Sequence, residues 1–122
     1  MSTGSRIGTW VGDKFYLWSV FVSGDYIVSG GAENIIRVWE ISTGKLVGSL
    51  RGHTEPVLSV CASKDYIVSG SNDATIKVWR LSTNELIHTI FGHTTAVISV
   101  AVSGDYIVSG SDKTVKVWRK PW

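Results

Sequence analysis

His53, Ser69 and Asp73 carry the side-chain types of a nucleophilic relay. In such a relay a carboxylate orients an imidazole, and the imidazole takes a proton from a hydroxyl. A hydrolase built on them would also need an exposed nucleophile, a cleft and oxyanion donors, and no signal in the sequence supplies these. The same three types recur as His93, Ser109 and Asp112. A catalytic relay is expected once per active site, whereas a repeated one points to architecture. A turn Asp can fix an imidazole, which passes the bond on to a strand hydroxyl and so satisfies polar groups between twisted sheets. No catalytic residue is assigned, and the chain is expected not to be an enzyme.

The remaining reactive side chains point the same way. His88 lies between Ile87 and Thr89 with no partners at metal-ligand spacing. Cys61 aligns with Phe21 and Ala101, which makes it an apolar position and not a nucleophile. Gly30-Gly31 is expected in a β-turn and leads into no helix, so it forms no phosphate loop. No cofactor and no metal are expected.

These residues sit in a chain of 122 residues with 43% apolar content, enough for a packed core. Glycine numbers 13 and proline 2, which favours tight turns over linkers. The net charge of +2 is small and dispersed, so nucleic acid is not an expected partner. No apolar run approaches a membrane span, and the first residues hold no signal-peptide core, so no membrane association is expected. A single cysteine excludes an internal disulfide and fits a reducing compartment; the expected location is cytoplasmic.

What must position the recurring His, Ser and Asp is an internal repeat. The hexapeptide DYIVSG occurs at 25–30, 65–70 and 105–110, a period of 40 residues. ISTGKLVGSLRGHTEPVLSV (41–60) matches LSTNELIHTIFGHTTAVISV (81–100), and MSTGSRIGTWVGDKFYLWSV (1–20) is a worn copy. Each unit closes on a Val-Trp pair, at Val38-Trp39, Val78-Trp79 and Val117-Trp118. The last pair comes one residue early, because the turn SNDAT (71–75) has become SDKT (111–114). The chain is thus one domain, 1–122, of repeats at approximately 1–40, 41–80 and 81–120.

Within a unit the pattern predicts short strands. VLSVCA (57–62) is a near-continuous apolar run, and YIVSG (66–70) follows a turn. In TIKVWR (75–80), Ile76 and Val78 share one face while Lys77 and Trp79 share the other. ELIHTI (85–90) supplies a fourth strand. No connection is long enough for a parallel crossover, so each unit is expected to be a four-stranded antiparallel meander. The fold class is all-β.

The order Gly52-His53, Ser69-Gly70, Asp73-x-Thr75-Ile76, Val78-Trp79 resembles the WD40 repeat, over essentially the whole chain. The residue after the Trp departs from the family's usual Asp, being Glu40, Arg80 and Arg119. The resemblance implies that each unit is one blade of a β-propeller, three to the chain. It also implies a structural network of His53, Ser69, Asp73 and Trp79, repeated as His93, Ser109, Asp112 and Trp118. In the first repeat Asp13 and Glu33 replace the His and the Asp, leaving Ser29 and Trp39. Two acids in place of that pair would repel if close, so this blade should be the least stable or should turn its acids to solvent.

By the same resemblance the function is that of a non-enzymatic scaffold, binding other proteins through loops on a propeller face. The candidate loop positions are Phe15, Tyr16, Ala32, Glu55, Asn72, Thr95 and Ser111. The near-identity of the units keeps an alternative open: a purely structural or engineered self-assembling repeat protein with no evolved ligand. The phase of the repeat predicts assembly. The chain opens on an outer strand (2–10) and its last blade stops at the third strand, while three blades are too few to close a ring. Head-to-tail homo-oligomerisation would complete the ring and protect the strand edges. A trimer of nine blades is preferred over a dimer of six.

Overall fold

Each strand is a run of five to seven residues drawn largely from Val, Ile, Leu, Ser and Trp, and within a sheet successive strands are joined by short turns. The computed structural model describes residues 17–122. Among these residues eleven strands follow one another: β1 (Leu17–Ser23), β2 (Tyr26–Gly31), β3 (Ile35–Glu40), β4 (Leu46–Arg51), β5 (Val57–Ser63), β6 (Tyr66–Ser71), β7 (Ile76–Arg80), β8 (Leu86–Ile90), β9 (Ser99–Ser103), β10 (Tyr106–Gly110) and β11 (Val115–Arg119). They form three antiparallel sheets in chain order: β1-β2-β3-β4, β5-β6-β7-β8 and β9-β10-β11. The expected four-stranded meander is present in the first two sheets, and the third has three strands among the described residues.

The sheets stack face to face, which explains why a central strand such as β7 is apolar on both sides. Ile76 and Val78 pack towards the third sheet with Val97, Val100 and Ile107. Trp79, on the opposite face, packs towards the first with Val28, Ile36, Val38 and Leu50. The core is therefore two inter-blade layers, one on each side of the second sheet.

Glycine decides how closely the layers approach. A Cβ on Gly30 would lie 2.6 Å from a methyl of Val57, and one on Gly70 would lie 2.7 Å from a methyl of Val97. Each valine thus fills a notch in the sheet before it. One hydrogen bond also recurs between sheets. The Val60 amide donates to Ser19 Oγ at 3.0 Å, and the Val100 amide donates to Ser59 Oγ at 3.1 Å. These serines are the small polar residues that repeat in the first strand of every unit.

Candidate functional site

His53 lies in the loop before β5, Asp73 in the β6–β7 turn, Ser69 in β6 and Trp79 in β7. The antiparallel pairing of β6 with β7 sets Ser69 opposite Lys77, close enough for Trp79 to reach back to it. The Trp79 indole N–H donates to Ser69 Oγ at 2.9 Å. Ser69 Oγ lies 2.7 Å from His53 Nε2, and His53 Nδ1 lies 2.9 Å from Asp73 Oδ2. Burial pushes the imidazole below its usual value despite the Asp73 carboxylate. The neutral ring therefore donates Nδ1–H to Asp73 and accepts the Ser69 hydroxyl proton at Nε2. Burial alone would raise the Asp73 carboxyl, but hydrogen bonds from the Thr75 hydroxyl, His53 and the Thr75 amide outweigh it and hold the group at about 2.

The order Asp–His–Ser matches a nucleophilic relay, yet its setting removes the chemistry. Ser69 is wholly buried, and its oxygen is capped by the Trp79 indole. No substrate can reach that oxygen while the sheets are stacked. What the arrangement does is tie a loop and a turn at one end of the blade to its two central strands.

In the third blade His93 Nε2 lies 2.7 Å from Ser109 Oγ, which accepts the Trp118 indole N–H at 2.8 Å. Asp112 does not join them. Its carboxylate accepts the Thr95 hydroxyl at 3.2 Å, and no bond links it to His93. The four-membered set expected for this blade is thus corrected to three. The turn SDKT is one residue shorter than SNDAT, which shifts the carboxylate away from the ring. Burial again lowers the imidazole, and the Lys116 charge adds to the effect.

In the first blade the Trp39 indole donates to Ser29 Oγ at 3.3 Å. Asp13 lies outside the described residues. Glu33 does not turn to solvent; it is half-buried and paired with Arg37, the residue four positions on. That ion pair corrects the expectation of an exposed acid: Arg37 pairs with Oε1, while Oε2 is buried without a hydrogen-bond partner.

Of the loop candidates, Glu55, Asn72 and Thr95 are exposed and Ala32 and Ser111 half-buried, while Phe15 and Tyr16 lie outside the described residues. Two residues tie these loops together without having been singled out. The Ser71 hydroxyl lies 2.9 Å from the Pro56 carbonyl and accepts the Asp73 amide, and Thr75 bonds Asp73 twice. Thr75 was visible as part of the Asp-x-Thr motif; Ser71 carried no signal beyond being a turn serine. His88 is exposed on β8, and Cys61 is buried, its thiol pushed up to about 12 by desolvation.

The repeat, the three sheets and the His–Ser–Trp network together match a known pattern. The family model described as WD domain, G-beta repeat matches residues 4–40, 44–80 and 84–119. The chain belongs to the WD40 repeat family. It is similar to the solved structure of U3-55K, with a TM-score of 0.84 and 30% identity over 95% of this chain and 38% of that one. The WD40 repeats of RRP9 match with a TM-score of 0.81 and 30% identity, over 87% of this chain and 34% of that one. The computationally designed Ika8 protein matches with a TM-score of 0.84 and 34% identity, over 91% of this chain and 35% of that one. The chain thus spans little more than a third of the length of these structures. No curated protein matches it. WD40 repeats are typically protein-interaction scaffolds and are generally not enzymes.

Proposed function

We propose that this chain is a non-enzymatic scaffold that binds other proteins through the loops at the His53 end of its blades. The observation that carries the reading is the contrast at that end. Ser69 is sealed beneath His53 and Trp79, while Glu55, Asn72 and Thr95 stand exposed on loops that the same network holds in place. A rigid base with exposed loop side chains suits recognition, because little conformational freedom is lost on binding. The test is capture of a saturable partner by the 122-residue chain and by a variant with Glu55, Asn72 and Thr95 all replaced by alanine. Saturable binding lost in the folded triple variant supports the loop face, and equal binding rejects it. Ester or peptide hydrolysis above that of Ser69→Ala would reject the non-enzymatic reading.

The same proposal includes ring completion by further copies of the chain, as a nine-blade trimer in preference to a six-blade dimer. Supporting it is the exposure of apolar residues on two faces. Val20 is 65% exposed, whereas its counterparts Val60 and Val100 are 4% and 7% exposed. Val115 is 74% exposed, whereas its counterparts Ile36 and Ile76 are fully buried. The neighbour's outer strand, 2–10, would complete the third sheet; those residues lie outside the described ones. A cytoplasmic location is part of the proposal and accords with the buried, unreactive thiol of Cys61.

A further inference from the structure

The contacts that join the blades recur with the period of the repeat, and each open face carries one half of every contact. Val57 fills the notch at Gly30, and Val97 fills the notch at Gly70. The next notch is Gly110, where an added Cβ would meet nothing within 4 Å. The residue in register with Val57 and Val97 is Leu17, which is 41% exposed on β1. The serine contact behaves likewise. Ser19 and Ser59 accept the amides of Val60 and Val100. Ser99, next in register, is exposed on the open side of the third blade, and Val20 is exposed on the open side of the first.

We infer that Leu17 of a second copy seats in the notch at Gly110, while the Ser99 hydroxyl accepts the Val20 amide of that copy. The inference rests on the ring-completion reading and adds to it the residues that set register and direction. The occupant follows from continuity with the two interfaces inside the chain. The open face of the third blade presents Gly110, Ser99, Val115 and Val117, the counterparts of what the second blade presents to the third. The open face of the first blade presents Leu17 and Val20, the counterparts of what the third blade presents in return. A glycine notch is selective, since it admits a branched aliphatic side chain only at one register. A slip of a single residue would turn the strand's other face inward. The contact is also heterologous: one copy gives the knob and the next gives the notch, so copies add head to tail.

The test uses two full-length variants, Gly110→Val and Leu17→Asp, alone and mixed, with native mass spectrometry and sedimentation as readouts. Circular dichroism of each variant reports the blades. Wild type is expected to assemble, and each variant alone to self-associate at least about tenfold more weakly. Mixed in equal amounts, they retain one intact knob and one intact notch between them and should form a one-to-one pair that grows no further. Should Leu17→Asp fail to fold, Leu17→Ala takes its place in the mixture. A monomeric wild type would overturn the ring reading and this inference together. A wild type that assembles alongside a Gly110→Val chain that assembles equally well would overturn the notch alone. A mixture without the one-to-one pair would do the same.

Discussion

Asp73 accepts from His53, from the Thr75 amide and hydroxyl and from the Thr54 amide, so one carboxylate satisfies donors from a loop, a turn and a strand end. Asp73→Ala leaves these donors unpaired and should destabilise the chain by about 1–3 kcal/mol in thermal melts. An unchanged melting temperature would mean that the network does not hold the blade. Acid should act through the same residues. Asp73 is held at about 2 against an ordinary value of 3.8, so its contribution is complete above the ordinary value and is lost as pH falls from about 4 towards 2. His53 and His93 lie below the ordinary 6.5, so the unfolded chain takes up their protons first. Their contribution is complete above 6.5 and declines as pH falls through it. Melting temperature should be level at neutral pH, fall below about 6.5 and fall again below about 4. A rise between pH 7 and pH 5 would contradict the neutral imidazole. A separate prediction concerns Lys64, which holds a left-handed backbone with φ of 55°, where the other repeats place Gly24 and Gly104. Lys64→Gly should stabilise by up to about 1 kcal/mol, because glycine bears no Cβ penalty there. Denaturant midpoints would show it.

Strand alternation was the part most legible in the sequence, because two-sided burial leaves a mark on residue types. Ile76 and Val78 on one face and Trp79 on the other are read from TIKVWR alone, and the structure divides them between the two core layers. Asp112 was misread because a one-residue deletion changes where a carboxylate points without changing its type. The notches at Gly30 and Gly70 were not legible: Gly30-Gly31, expected in a β-turn, lies in β2, because Gly30 serves a close inter-sheet approach to Val57. That approach predicts a graded series. Gly70→Ala presses a methyl on Val97 and should destabilise by roughly 1–3 kcal/mol, whereas Gly110→Ala should be tolerated in the isolated chain at low concentration. Equal effects at both positions would show that the notch does not set blade spacing. Exchange should be uneven as well. The first blade lacks the His–Asp link, and β1 exposes Val20, Trp18 and Val22, so amides of β1 (17–23) should exchange faster than those of β5 (57–63). The Glu33–Arg37 pair should confine the difference to β1 and leave the β2–β3 turn better protected. Equal protection of β1 and β5 would argue against a weak first blade.

Among the described residues, three stacked sheets form two internal interfaces and leave one face of the first and one face of the third open, all built from the same repeat. The open surfaces expose Val115, Val117 and Tyr106 on one side and Val20 and Val22 on the other. Apolar faces of this kind, bounded by strand edges, favour association over solvation. If copies close a ring, unfolding is coupled to dissociation, and the melting midpoint must depend on total concentration. For a chain of 122 residues passing from trimer to unfolded monomer, it should rise by about 2–4 °C for each tenfold increase. The sign is fixed by mass action, since dilution favours the side with more particles. The dependence should shift to higher concentrations in Gly110→Val, which weakens assembly and leaves the internal interfaces untouched. Calorimetry across a hundredfold range of concentration is the measurement. A midpoint that stays constant for the wild-type chain would mean that three blades are stable with both faces open.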